Sequence, residues 1–245
     1  MRIALIIILY IFTCLFQGTL VYAHDMESEV FKVAIEDSWP PYADENGEGI
    51  SRDILERALK YSDIEYEIQV EPYSRALYLT QIGATNACLN VTRQASTENL
   101  FYFGSEPLLY ANAYFYVRAD KDVDFKSLKD VPDKYNLAVM MGYEYGDIFE
   151  QEKYRFNLLE VRSQEQIINM LITDRIDGTI MFEEVQKYTA DKMGVDQALF
   201  KKAFLNQISD VYIAFHKDAP KSKEYAEKID AALHAMRIKN NRAVD

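Results

Sequence analysis

The chain has 245 residues, and its 39 acidic against 27 basic side chains give a formal net charge of −12. A surface this acidic repels nucleic acid and anionic lipid, so we expect partners of neither kind. The three histidines, His24, His216 and His234, are scattered without the spacing of metal ligands. The sequence therefore predicts no metal site and no cofactor.

The first 23 residues have the pattern of a secretory signal peptide. Arg2 precedes an apolar run over residues 3–16, and Val21-Tyr22-Ala23 supplies small residues at the cleavage positions. The run is shorter than the ~20 residues of a membrane span, and no later segment is longer. We therefore expect a soluble, exported mature protein that begins near His24 and is not inserted in the membrane.

The next part of the chain alternates strands with amphipathic helices. We predict strands over residues 31–35, 65–70, 87–91 and 113–118, and helices over residues 50–59 and 74–82. Cys88 lies in the third of these strands and is the only cysteine left after removal of the signal peptide. It is expected to be a small buried hydrophobe rather than a nucleophile.

A second series follows, with strands over residues 136–141, 158–161 and 178–181 and helices over residues 164–174 and 184–193. A strand over residues 210–215 and a helix over residues 223–238 complete the chain. The pattern predicts an α/β fold of two lobes, each a mainly parallel sheet flanked by helices. We expect residues 24–113 with 213–245 in one lobe, residues 114–212 in the other, and two hinge crossings, near residues 113–118 and 211–216. A single continuous sheet is the alternative.

A polar cluster follows the predicted strand over residues 87–91. Asn90, Thr92 and Arg93 bring an amide, a hydroxyl and a guanidinium group to its carboxyl end. Such strand ends bind small polar ligands in open α/β sheets. The alternative is a strand running into a helix cap, with Arg93 solvated.

Six short motifs follow one another along the chain. They are WPPY at 39–42, YSR at 73–75, GATNA at 83–87, TRQAST with FGSEP at 92–97 and 103–107, MGYEYG at 141–146 and LITDRID at 171–177. In their order and spacing they resemble the bacterial periplasmic solute-binding proteins of family 3, the polar amino acid type, and the resemblance covers essentially the whole mature chain and implies a periplasmic location.

The resemblance implies two lobes that close over a ligand in the manner of a hinged trap. It places Asn90 and Thr92 against the ligand from the first lobe. It places Tyr143 and Glu144 at the N-terminus of a second-lobe helix. The implied protein is a monomeric receptor that passes a small polar, amino acid-like solute to an inner-membrane ABC permease.

The sequence departs from the family where amino acid binders carry the arginine for the ligand carboxylate, because that position is Thr97 here. Arg93 or Arg75 could replace it with a bidentate pair. The carboxylate for the ligand ammonium is assigned to Glu183, with Phe182 as the alternative in a register shifted by one residue. Glu183 could equally be an exposed carboxylate at a helix N-terminus.

Aromatic residues flank several of these motifs. Trp39 and Tyr42 border two prolines, Tyr73 precedes Arg75 by two positions, and Tyr143 and Tyr145 follow Gly142. They could form the walls of a cleft suited to a cationic or amphipathic ligand. Ordinary packing explains any one of them equally well.

The leading interpretation is a non-enzymatic receptor. One alternative is a dehydratase-like enzyme of the same fold, with Glu183 or Glu144 as general acid; no nucleophile elbow, paired carboxylate motif or partner histidine accompanies them. The other alternative is a ligand-sensing partner of a membrane signalling protein. The sequence does not distinguish transport from signalling.

Overall fold

The computed structural model describes residues 30–62 and 64–242. The predicted signal peptide, residues 1–23, and the start at His24 lie outside these ranges. The strands are β1 (Phe31–Glu36), β2 (Tyr66–Glu71), β3 (Ala87–Thr92), β4 (Phe101–Phe103), β5 (Leu109–Arg118), β6 (Asn136–Met140), β7 (Asn157–Val161), β8 (Gly178–Phe182) and β9 (Phe200–His216). The helices are α1 (Ile50–Leu59), α2 (Tyr73–Gln81), α3 (Ala95–Glu98), α4 (Asp147–Glu152), α5 (Gln164–Ile172), α6 (Glu183–Lys192) and α7 (Ser222–Arg242).

The described strands pair in the order β2-β1-β3-β9-β5-β8-β6-β7, and β4 also pairs with β9. The first lobe contains the parallel pairs β1–β2 and β1–β3. The second lobe contains the parallel pairs β6–β7 and β6–β8. The predicted α/β fold is confirmed, and each parallel group connects through helices that cover its faces. The two parallel groups belong to one nine-stranded sheet, which is the alternative that the sequence left open.

Strands β5 and β9 join the two lobes. They pair antiparallel along the full length of β5, from Leu109 opposite Val211 to Arg118 opposite Phe200. The later part of β9 pairs with β3 of the first lobe, whereas β5 pairs with β8 of the second. The hydrogen-bonded sheet is therefore continuous, and two long strands carry the chain between its two ends.

Each lobe has an apolar core, and a further cluster joins Trp39 of the first lobe to Phe182 of the second. In the first lobe, α1 and α7 pack on one face of the sheet through Leu55, Ile229 and Leu233, and α2 covers the other face. In the second lobe, α5 and α6 supply buried side chains such as Ile168 and Ala190. Cys88 is fully buried in the first lobe, as predicted. Burial of the apolar stripe on each helix is the main force that holds it against its sheet.

Three elements begin well away from the positions that the sequence predicts, and the first is β5, which starts at Leu109 instead of residue 113. Strand β9 begins at Phe200 instead of residue 210, because its polar first half is held by pairing with β5. Helix α4 begins at Asp147, so Tyr143 and Glu144 lie in the loop before it and not at its N-terminus. Within the described ranges, no helix combines the length and the apolar character that crossing a membrane requires.

Candidate functional site

A cleft lies where strand ends of the two lobes meet. At its centre is a small cavity of about 10 Å³. Glu36 ends β1, Asn90 and Thr92 belong to the end of β3, and Phe182 ends β8. Trp39 and Tyr73 complete the wall from the first lobe, and Tyr143 and Glu144 complete it from the second. We call these eight residues the inner cavity.

Two tyrosine–glutamate hydrogen bonds cross the cleft in opposite directions. The Tyr73 hydroxyl of the first lobe donates to Glu144 Oε2 of the second at 2.5 Å. The Tyr143 hydroxyl of the second lobe donates to Glu36 Oε2 of the first, also at 2.5 Å. Their rings meet edge to face with centroids 5.0 Å apart. These two hydrogen bonds connect the lobes through buried polar groups. Hydrogen bonds are stronger in such a buried environment than in water.

Both glutamates of the inner cavity hold their proton more tightly than usual. Burial raises the pKa of Glu36 to about 8, against a smaller lowering by Tyr143 and Asn90, and Glu144 and Asp37 raise it further. Burial likewise raises the pKa of Glu144 to about 8, opposed by Tyr73 and by the backbone amides of Glu144 and Thr92. Removing water disfavours the charged form of a carboxyl group, so both are largely neutral at pH 7.

The two tyrosines remain hydrogen-bond donors. Burial is the first cause that raises the pKa of Tyr73 well above its ordinary value, and the carboxyl of Glu144 is the second. Burial and the carboxyl of Glu36 do the same to the pKa of Tyr143. A phenol that keeps its proton can donate it to the glutamate oxygen in both hydrogen bonds.

Asn90 is placed for binding by an irregularity in β3. Its φ is +66°, a left-handed conformation that Asn tolerates better than most residues. The pairing of β3 with β9 shifts register between Cys88 and Val91, which re-aims the Asn90 side chain. Asn90 is 5% exposed, and its amide lies close enough to the Glu36 carboxyl to lower the pKa of that group. Neither atom of the amide, however, completes a hydrogen bond of normal geometry with the described residues.

Trp39 presents a second polar group without a partner. The residue is 2% exposed, and among the described residues nothing accepts a hydrogen bond from its Nε1. Its ring stacks on Tyr42 at 4.2 Å and meets Phe182 edge to face at 5.0 Å. Leaving such groups unpaired is costly, so buried donors and acceptors like these indicate a missing hydrogen-bond partner.

The loop between β6 and α4 carries Tyr143 and Glu144 and contacts the first lobe again at its end. The Gly146 amide donates to Gln94 Oε1 at 3.0 Å. The Ala95 amide of the first lobe donates to Asp147 Oδ1 at 3.2 Å. Gly146 has a φ of +91°, and a Cβ there would lie 2.2 Å from Oε1 of Gln207. A Cβ there would displace the end of the Gln207 side chain, and the positive φ itself favours glycine.

A larger pocket opens on the outer side of the two tyrosines. Its volume is about 390 Å³, and Tyr73 and Tyr143 separate it from the inner cavity. The first lobe contributes Asp37, Ser38, Pro72 and Ser74, and the second contributes Met140, Met141 and Arg162. We call this space the outer pocket. It is large enough for a small organic molecule.

The two predicted carboxylate-binding arginines do not reach the cleft. Arg93 is exposed and pairs with Glu98 at 2.6 Å, with its guanidinium over the rings of Phe103 and Tyr212. Arg75 is exposed and pairs with Glu71 at 2.8 Å. Strand β3 ends at Thr92, and neither arginine is among the residues that line the inner cavity or the outer pocket.

Thr97, at the family's arginine position, has a structural role in this chain. Its Oγ1 accepts a hydrogen bond from the Gln94 amide at 3.0 Å and donates to the Thr92 carbonyl at 2.8 Å. These bonds satisfy backbone groups at the start of α3. A buried threonine in such a cap cannot supply a positive charge to a ligand.

Glu183 is also placed outside the inner cavity. It is the first residue of α6 and pairs with Lys202, whereas Phe182 lines the cavity. Phe182, the alternative in the register shifted by one residue, is therefore the residue that lines the inner cavity at this point. Tyr42 does not line the inner cavity, but its ring stacks on that of Trp39. Tyr145 is buried in the second lobe, where its hydroxyl accepts a bond from the Met140 amide.

Of the predicted site residues, the structure brings six together around the inner cavity: Trp39, Tyr73, Asn90, Thr92, Tyr143 and Glu144. Sequence reasoning missed Glu36, Asp37 and Arg162. Glu36 ends β1 and Arg162 follows β7, so the rule about strand ends that selected Asn90 applies to both. Among the described residues, no group of three or more potential metal-ligating side chains comes together.

No protein-family model and no curated protein matches the chain. Solved structures do match. A mutant of ArgBP from T. maritima has a TM-score of 0.71 at 17% identity, covering 88% of this chain and 92% of that one. The GluR0 ligand-binding core from Nostoc punctiforme, in complex with L-glutamate, has a TM-score of 0.69 at 20% identity, with 86% and 94% covered.

A histidine kinase sensor domain with similarity to periplasmic binding proteins has a TM-score of 0.74 at 12% identity, with 88% of this chain and 93% of that chain covered. At these identities the likeness concerns the fold. The chain therefore has the two-lobed fold of the type II periplasmic binding proteins, in agreement with its sheet order and its two crossing strands.

Proposed function

We propose that this chain is a non-enzymatic receptor that captures a small polar solute by closure of its two lobes. The carrying observation is the buried Asn90 amide, which completes no hydrogen bond of normal geometry and lines the same cavity as Trp39, whose indole N–H is also unpaired among the described residues. Such groups are costly in an empty protein and are satisfied by a ligand that brings donors and acceptors. The aromatic rings of Trp39 and Phe182 would enclose its apolar part.

The charge of the inner cavity favours a ligand with a cationic or strongly donating end. Glu36 and Glu144 both line it, and no basic side chain does so among the described residues. A buried ammonium group requires a counter-charge, which either carboxyl can supply by releasing its proton. An amino acid-like solute or a simple amine meets this requirement.

Closure follows from the division of the site between lobes. Asn90 and Trp39 belong to the first lobe, whereas Glu144 and Phe182 belong to the second. A ligand contacts all four only when the lobes are together, so it shifts the population towards the closed form. Tyr73 and Tyr143 would move to admit the ligand, because the present cavity of about 10 Å³ is smaller than any organic solute.

The wider assignment extends the sequence interpretation. We assign the chain to the family 3 solute-binding proteins, exported by residues 1–23 to the periplasm. Residues 24–113 with 213–245 would form one lobe and residues 114–212 the other. The receptor would act as a monomer and deliver its solute to an inner-membrane ABC permease or report it to a membrane sensor.

The test is a thermal-shift screen of the mature chain against amino acids, amines, organic acids and small sugars. A ligand at 100 times its dissociation constant adds about 2.7 kcal/mol to the free energy of unfolding. The Asn90→Gly variant tolerates the positive φ but lacks the amide, and it should bind the hit at least about tenfold more weakly.

Asn46→Gly, in an exposed turn, is the matched control and should bind as the wild type does. A screen without any hit would contradict the proposal. So would an Asn90→Gly variant with undiminished affinity, or turnover of the bound compound.

A further inference from the structure

The outer pocket carries one acidic and one basic side chain on opposite walls. Asp37 follows β1 of the first lobe, and Arg162 follows β7 of the second. Both line the pocket of about 390 Å³. Ser38 and Ser74 add hydroxyl groups on the wall that carries Asp37.

Neither of the two charged side chains is neutralised by the protein. In the described ranges, neither Asp37 nor Arg162 takes part in an ion pair or a side-chain hydrogen bond. Arg75 and Arg93, by contrast, both pair with glutamates. Asp37 and Arg162 thus line one pocket without pairing across it.

We propose that the outer pocket is a second charged subsite of the cleft, where Asp37 and Arg162 hold a zwitterionic part of the solute. The carboxylate of the solute lies against the Arg162 guanidinium, which can bind it with two parallel hydrogen bonds. Its ammonium group faces Asp37. The carboxylate is therefore held by an arginine of the second lobe, whereas the sequence analysis assigned that role to arginines of the first.

The pairing of opposite charges in one pocket restricts the solute. A simple anion at Arg162 would be repelled by Asp37, and a simple cation at Asp37 would be repelled by Arg162. A molecule that carries both charges is attracted by both walls. The subsite therefore favours zwitterions over amines and over organic acids of the same size.

The position of the outer pocket connects it with the inner cavity. Tyr73 and Tyr143 border both spaces, so rotation of these two rings would join them. A zwitterionic group in the outer pocket could then send its side chain inward to Asn90 and Trp39. This inference rests on the proposed receptor function, and it adds Asp37 and Arg162 as the side chains that select a solute by its charge.

The experiment compares each standard amino acid, except aspartate and glutamate, with the amine left by its α-decarboxylation, by calorimetric titration of the mature chain. The wild type should bind at least one amino acid about 10- to 100-fold more tightly than the matching amine. Arg162→Gln should remove that preference by weakening the amino acid alone. Asp37→Asn should weaken both members of the pair.

Arg175→Gln is the matched control, because Arg175 is exposed in the second lobe and does not line the outer pocket. It should leave both affinities unchanged. Each variant should unfold at the wild-type temperature, since neither Asp37 nor Arg162 makes an ion pair that the change would break.

Two results would overturn the inference. In the first, Arg162→Gln keeps the full preference for the amino acid. In the second, the wild type binds no amino acid; binding of amines or sugars would then leave the receptor function standing without this subsite. Absence of binding by every compound would overturn the receptor function as well.

Discussion

At the scale of single residues, Arg93 shows how a charged group can follow a binding strand and still face away from the cleft. Its chain neighbour Thr92 lines the inner cavity, but the Arg93 guanidinium lies 2.6 Å from Glu98 on the surface. Successive side chains of a strand point to opposite faces, so one step along the chain reverses the direction. Sequence proximity alone could not resolve this.

The Arg93→Ala change should therefore leave solute affinity within about twofold of the wild type, because exposed ion pairs contribute little. The free energy of unfolding should fall by less than about 1 kcal/mol. Titration with the hit of the screen measures the first quantity and urea unfolding the second. A loss of binding would return Arg93 to the site.

The tyrosine hydroxyls of the cleft make a stronger contribution. Tyr143→Phe leaves the Glu36 carboxyl without its donor at 2.5 Å, and Tyr73→Phe does the same to Glu144. Each change should lower the free energy of unfolding by about 1–3 kcal/mol at pH 6, the cost of an unsatisfied buried polar group.

Tyr154→Phe is the control for this pair, because Tyr154 is 84% exposed and its ring remains. Chemical denaturation of the three variants side by side gives the comparison. Equal stability of all three would show that the crossed hydrogen bonds do not hold the lobes.

At the scale of elements, the sequence predicted most strands and helices because their apolar spacing is local. The helix over residues 50–59 matches α1 at both ends. The first half of β9 was missed, since its lysines, asparagine and glutamine do not read as a strand. It is a strand because β5 lies beside it, and pairing with a distant segment leaves no local pattern.

The candidate site was predictable to a similar degree. Asn90 and Thr92 were found because their strand is strongly apolar and its end is clear. Glu36 was missed although it follows an equally apolar strand. The hydrogen bond from Tyr73 to Glu144 could not be predicted, because it depends on how the two lobes meet. Arg162 likewise reaches the cleft only through the placement of β7.

The loop between β6 and α4 offers a test at this scale. Gly146→Ala introduces a Cβ that would lie 2.2 Å from Gln207 Oε1, at a φ of +91°. We expect the free energy of unfolding to fall by about 1–3 kcal/mol, with weaker solute binding, because the loop carries Tyr143 and Glu144.

Gly194→Ala is the matched control, since Gly194 also has a positive φ, +67°, but open space where its Cβ would be. That change should cost about 1 kcal/mol from the backbone alone and leave binding intact. A Gly146→Ala variant that binds as well as Gly194→Ala would show that the loop tolerates the change.

At the scale of the whole molecule, we expect the two glutamates to make the proposed closure dependent on pH. Their pKa values are raised from 4.5 to about 8, so the folded chain holds more protons than the unfolded chain between these values. The free energy of unfolding therefore falls as pH rises from about 4.5 to 8. Above pH 8 both carboxyls of the closed cleft are charged and repel each other, with Asp37 and Glu150 adding to the repulsion.

We expect the lobes of the solute-free chain to separate as pH rises from 6 to 9, with an increase in the radius of gyration measured by X-ray scattering. A chain with both Glu36→Gln and Glu144→Gln keeps the cavity neutral and should stay closed throughout. The prediction fails if the wild type and this variant scatter identically at pH 9.

The sharing of β5 and β9 between the lobes has a consequence for how the molecule melts. Val211 of β9 lies beside Thr92 in one lobe, and Phe204 of the same strand stacks on Phe115 in the other. Melting either core would strip a strand from the other, so a calorimeter should record one heat-absorption peak instead of two. For the same reason, a fragment that stops before Phe200 would lack β9, which pairs with strands of both lobes. We therefore expect that neither lobe folds on its own.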